Sequence, residues 1–318
     1  MRAVTSPSRA KRRHGFSLPE LIVALVLFAL IGGAIVKTLS TGQRAYDAQI
    51  QHVDMQQNMR LASSILLNEL RELDASDGDI QSMDSVSMRV RSMRQMGIVC
   101  TLPVLGGALT SQVLSGVTFA VRDTLQSIRY FAATDSLLIF EEGSPLVRTD
   151  DSWLAGAIFG ATNPATGVLT NCTDVPGRQG RLFTVNLYFD NTASPPQSNA
   201  ANMITLGSPI RAFQSVTFKR LQVGTEWYVG FDSAGVAASN QPLIGPLADS
   251  LGLKFTYYDS LDTRLASPYT AAVRKQVARI SIALALKTAS PIRKNTGSPA
   301  PDTSRVTLEI AVRNNRRF

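Results

Sequence analysis

The sequence predicts an α+β protein, with one long N-terminal α-helix packed on a mainly antiparallel β-sheet head. Three observations predict it. Residues 16–36 form a nearly uninterrupted apolar run. Residues 37–73 continue with apolar positions at helical spacing and contain no Pro. From residue 85 onward, alternating segments separated by turn residues replace that spacing. A helical stripe followed by many alternating strands gives a helix laid on a sheet.

Ahead of the helix, residues 1–15 carry Arg2, Arg9, Lys11, Arg12 and Arg13 and no acid. Without these five cations the formal charge of +8 falls to +3. The basic pI is thus partly local to this segment and is not a nucleic-acid footprint. A basic segment before an apolar span places that segment in the cytoplasm and the rest of the chain outside. At 1.5 Å per residue, residues 16–36 reach ~30 Å, one hydrocarbon thickness. The only charge in the run is Glu20. A charge at a bilayer centre costs ~2.5–3.5 kcal/mol on insertion scales, and less near the interface. Glu20 therefore needs a local structural reason or a task. Ser17-Leu18-Pro19-Glu20 supplies the local reason: it fits a capping box, and Pro is tolerated in a first helical turn. Gly32 and Gly33 mark local softness or the close approach of another helix.

Beyond the span, Tyr46, Ile50 and Val53 step by four and three, as do Met55, Met59, Ala62, Leu66, Leu70 and Leu73. Good helix formers dominate, so one helix is expected from Leu18 to about Leu73, roughly 80 Å long. The methionines read as packing filler. Asp74-Ala-Ser-Asp-Gly-Asp ends it. In residues 85–91, Val86, Met88 and Val90 face one way and Ser87, Arg89 and Arg91 the other. Residues 126–131 and 136–140 flank a hairpin signal, and 181–189, 215–221 and 226–231 read as strands, with a turn at 223–225. Residues 253–258, 276–286 and 305–312 complete the count. Residues 161–173 and 194–202 read as loops, and 287–303 as a long hairpin tip.

Gly15, then Phe16, then Glu20 at the mouth of an apolar helix resembles the class III signal of type IV pilins and type II secretion pseudopilins. The resemblance implies cleavage after Gly15 by a prepilin peptidase, N-methylation of Phe16, and recognition and assembly roles for Glu20. It divides the chain into a cleaved leader (1–15), a stalk helix (16–74, with 16–36 as transmembrane segment and filament core) and an exported head (75–318). The C-terminal blocks 251–259, 277–286 and the strand closing near Val312 are similar to PilW-type minor pilins and J-type minor pseudopilins. That family often follows Tyr-Tyr-Asp with Asp-Gly, where this chain reads Ser260-Leu261-Asp262. The implied function is a non-catalytic filament subunit of a type IV pilus or a type II secretion system. The implied partners are the peptidase, other major and minor pilins or pseudopilins, and inner-membrane lipid. The implied location is the inner membrane with a periplasmic head, then the filament. An ordinary secretory signal on a secreted enzyme is the rival, with residues 21–31 as apolar core and a cut near Gly32-Gly33-Ala34. Glu20 spoils the start of that core, and the helix pattern runs through the cut site. A single-pass binding module that never polymerises is the other rival.

Nothing in the sequence points to catalysis or to a cofactor. His14 lies in the leader and His52 on the stalk helix. There is no Gly-rich phosphate loop and no metal-ligand spacing of His and Cys. Asp259 and Asp262 could meet a calcium ion, although paired acids in a turn are more often solvated. Arg313, Arg316 and Arg317 read as a solvated terminal cluster. Cys100 and Cys172 are the only cysteines. An even pair in an exported head suggests one disulfide, with two buried thiols as the alternative.

Overall fold

The computed structural model describes residues 17–105, 109–110, 113–123, 136–141, 152–158, 169–188, 204–233, 240–292 and 298–312. It shows the expected α+β architecture, a long N-terminal helix and an antiparallel β head. Helix α1 runs Leu18–Arg71 without a break, ~80 Å by rise per residue. Its buried residues are Met55, Ala62, Leu66 and Leu70, one stripe at helical spacing. Leu73 continues that stripe into the turn that follows. Tyr46, Ile50 and Val53, read as part of the same pattern, are exposed. Among the described residues the head buries only the later turns of the helix, so the earlier apolar positions stay exposed.

The helix ends in a loop that ties itself shut. Asp74 N–H donates to Asp79 Oδ2 at 2.8 Å, and Asp74 Oδ1 accepts from the Ser76 and Asp77 amides. Gly78 supplies the positive φ of +81° that the turn requires. Burial pushes the Asp77 and Asp79 carboxyls above the ordinary range, against the opposing pull of Arg211 and Arg91.

Two hydrophobic cores follow. The first joins α1 to both sheets. One wall is a three-stranded antiparallel sheet of β13 (Leu253–Tyr258), β14 (Arg279–Lys287) and β15 (Thr303–Ala311). Opposite it lie β1 (Ile80–Met83) and parts of β2 (Ser87–Val99), β10 (Pro209–Val223), β11 (Glu226–Ser233) and β12 (Gln241–Ile244). Tyr257 is fully buried here and its hydroxyl donates to Asp84 O at 2.8 Å. That bond satisfies a polar group which would be costly if left alone. Polar contacts also hold the helix to the head. Asn58 donates to Gly245 O, Gln51 accepts from Ser290 N–H, and His52 stands 3.5 Å from Asp302.

The second core belongs to a closed β-barrel that the sequence did not announce. Strand β2 pairs with β5 (Val113–Asp123), β5 with β9 (Gln179–Tyr188), β9 with β7 (Ser152–Ile158), β7 with β6 (Ser136–Glu141), β6 with β10, and β10 again with β2. Ring closure leaves no free edge around these six strands. Alternation puts Val117, Phe119 and Val121 of β5 and Phe183 and Val185 of β9 inside, against Ile139, Ile210 and others. Strands β2 and β10 run through both cores. Where they pass from sheet to barrel the register shifts: Ala212 faces Gln95 and Phe213 faces Met93. Arg94 is the extra residue of this bulge, and it pairs with Glu69 of α1 at 3.0 Å.

Cys100 and Cys172 form a disulfide that packs with Ala120 on the outer side of β5, closing a loop of 72 residues. On a chain-entropy account such a loop contributes roughly 4 kcal/mol. The bridge packs on Gly180 of β9. A Cβ there would lie 2.5 Å from Cys100 Sγ, 3.1 Å from Val121 O and 3.2 Å from Cys172 Sγ. None of these atoms is the end of a flexible side chain. Gly180→Ala is therefore expected to cost ~1–3 kcal/mol of stability through overpacking. Thermal unfolding checks it, and the penalty should shrink under reductant, when the two sulfurs move apart. An unchanged midpoint in the oxidised protein would contradict the packing.

The other expectations fall as follows. Residues 169–171, read as loop, form the short strand β8 paired to β9. The β14–β15 connection is a hairpin, with Ile292 bridged to Ala300. The expected strand at 126–131 and its hairpin turn, the loop at 194–202 and the Arg313, Arg316 and Arg317 cluster lie outside the described residues.

Candidate functional site

The site is the first turn of α1 and the span behind it. Ser17, at φ −78° and ψ 149°, is the extended residue before the helix, and Pro19 sits in the first turn, where its missing N–H has no helical role to fill. Ser17 N–H and Ser17 Oγ–H both donate to Glu20 Oε2 at 3.4 Å. This is the carboxylate arm of a capping box, but both contacts are longer than the usual 2.7–3.2 Å, so the cap is weak. Glu20 is exposed and makes no ion pair among the described residues. Its charge also lies at the positive end of the helix dipole, a mildly favourable place. Gly15 and Phe16 lie outside the described residues.

Behind Glu20, no charged residue occurs before Lys37. The helix is long and apolar enough here to cross a membrane, and none of its most apolar stretch is buried within the chain. Phe28 is 81% exposed. So large an exposed apolar surface requires lipid or other protein around it. At Gly32 and Gly33 an added Cβ would meet nothing within 4 Å. Lack of space inside this chain is therefore not why those positions are glycine. Just beyond, Thr38 Oγ1 bonds back to Ala34 O, and Thr41 Oγ1 to Lys37 O.

The remaining candidates are occupied by structural work. Asp259 Oδ1 accepts from the amides of Leu261 and Thr263 at 2.9 and 2.8 Å. Asp262 takes the left-handed conformation, φ 64°, and accepts from Arg279 Nε at 2.9 Å. The turn that the family-type Gly would make is thus made by Asp262. Arg279 also lies 3.8 Å above the Tyr258 ring. The two carboxylates already have protein donors and do not converge on an open position.

No curated protein and no solved structure matches the chain. Residues 10–36 match the family described as the prokaryotic N-terminal methylation motif. The matched segment covers Gly15, Phe16, Glu20 and the exposed apolar helix. The chain thus carries, at its N-terminus, the class III signal of type IV pilin-like proteins.

Proposed function

We propose that the protein is a minor pilin or minor pseudopilin, a non-catalytic structural subunit of a type IV pilus or a related filament. The observation that carries this is the methylation motif on a helix whose apolar half is buried by none of the described residues. The prepilin peptidase cleaves after Gly15 and methylates Phe16. The span then holds residues 75–318 outside the cytoplasm as a periplasmic head. Assembly moves residues 16–36 from lipid into a bundle of like helices contributed by other pilins. In that dry bundle an unpaired Glu20 would be costly, and the amino terminus of a neighbour offsets its charge. The J-type pseudopilin of a type II secretion machine shares every step, and the neighbouring genes, for pilus assembly or for a secretion channel, separate the two.

Intact-mass measurement of the membrane-extracted protein tests the reading. The expected mature chain starts at Phe16, has lost residues 1–15 and carries one added methyl group. A start near Ile35 would instead mark an ordinary secretory signal and overturn it.

A further inference from the structure

A cleft of about 470 Å³ opens between the edge strand β1 and the short helix α2 (Ala271–Arg274). Four cations line it: Arg89, Arg91, Arg274 and Lys275. They arrive from two places. Met88 and Val90 of β2 point into the core, so Arg89 and Arg91 take the opposite face. Arg274 and Lys275 come from the end of α2.

Their charges are poorly answered within the chain. Arg89 and Lys275 are exposed and have no ion-pair partner among the described residues. Arg274 donates to a neutral group, Tyr269 O, at 3.1 Å. Only Arg91 has carboxylates near among the described residues: Asp79 at 3.9 Å, and Asp77, whose carboxyl feels the Arg91 charge and whose backbone O accepts from Arg91 at 3.2 Å. The Arg91 guanidinium also lies 5.2 Å from the Phe213 ring centre. Two acids, both also drawn to Arg211, thus stand against four cations on a concave wall. Like charges gathered this way repel one another and focus the field on whatever enters.

Guarding the β1 edge against mispairing accounts for a cation or two. Guard charges, however, sit on the edge strand itself and reach into solvent. These four come from β2 and α2. Arg91 and Arg274 are held by other groups, while Arg89 and Lys275 are free to close on a guest. Such partial pre-organisation lowers the entropic cost of binding. Arginine forks match the planar oxygens of carboxylate and phosphate. The volume lies in the range of small-molecule sites, ~300–1,000 Å³.

We propose that this cleft is a binding site for a small, multiply charged oxyanion, a ligand bearing phosphate or several carboxylates. On the membrane-anchored reading, the helix rises about 50 Å between Lys37 and Arg71. Headgroups of the anchoring membrane are then out of reach, and the ligand comes from solution. The cleft itself belongs to the head and stands whether or not the subunit enters a filament.

Calorimetric titration of the full chain in a neutral detergent tests this. The probes are inorganic phosphate and citrate, at constant ionic strength set with chloride. Saturable binding of at least one probe is expected. The double variant Arg89→Gln/Lys275→Gln should weaken it roughly tenfold or more. Because neither side chain has an ion pair to lose, the thermal midpoint should stay where it was. Arg305→Gln, an exposed cation elsewhere, should bind as the parent does. Equal affinity in the double variant would overturn the site, and so would heats that do not saturate. Binding of a Glu-rich peptide without binding of either probe would make the cleft a protein interface and overturn the small-ligand assignment.

Discussion

Leu66→Ala is expected to lower stability by ~2–5 kcal/mol, the range for emptying a buried leucine site. Leu66 has no exposed surface and lies on the stripe where α1 meets both sheets. Its neighbour Leu67 is 37% exposed, on another face, so Leu67→Ala should cost well under half as much. Folded domains hold only ~5–15 kcal/mol in all, so the first change removes a large share. Denaturant unfolding of the full chain in detergent measures both. The barrel core contains no residue of α1. If the two cores unfold separately, only the transition reported by the helix-bearing core should move, and the disulfide-bridged barrel should keep its own midpoint. Equal losses in the two variants would mean that the helix does not dock by the Leu66 face.

That face was legible in the sequence because helix formation is local. Spacing alone placed the helix from Leu18 to about Leu73, and the observed end is Arg71. Strand 253–258 was legible for the same reason: Leu253, Phe255 and Tyr257 alternate with polar or half-exposed neighbours. The barrel was not legible, because closure depends on β2 meeting β5 and β10 meeting β6 across long stretches of chain. Its strands also hide their pattern. Gly116, at φ +70°, interrupts β5, and the run Leu154-Ala155-Gly156-Ala157 in β7 is too small-sided to alternate visibly. The cationic cleft was half legible. Arg89 and Arg91 stood out as the polar face of their strand, but no local pattern links them to Arg274 and Lys275. At the N-terminus the reverse holds. The motif is contiguous, so Gly15, Phe16 and Glu20 could be picked out at once. Tyr46, Ile50 and Val53 show the limit of periodicity: it finds an apolar face but not whether this chain covers it.

Glu20→Gln is expected to leave the protein inserted, cleaved and folded, yet to reduce its amount in filaments at least tenfold. Gln serves in a capping box as Glu does, and its amide oxygen still accepts from Ser17 N–H. The cap is weak in any case, both contacts to Glu20 Oε2 being 3.4 Å. Helix structure is thus preserved, while the negative charge is lost. The charge has no ion-pair partner among the described residues, and the apolar helix behind it is unburied. In an assembled bundle the nearest cation on the proposed reading is the methylated amino terminus of another subunit. Removing one member of a buried pair typically costs ~3–5 kcal/mol, because the other is left charged and unpaired. Each 1.4 kcal/mol is about tenfold in an equilibrium, so even a partly hydrated pair predicts a large deficit. Sheared filaments are probed for the subunit, with the membrane fraction and intact mass as controls for insertion and cleavage. A variant that is cleaved and membrane-bound but scarce in filaments supports the pairing. Equal amounts of parent and variant in filaments would leave capping as the whole reason for an acid at this position, because capping is what the substitution preserves.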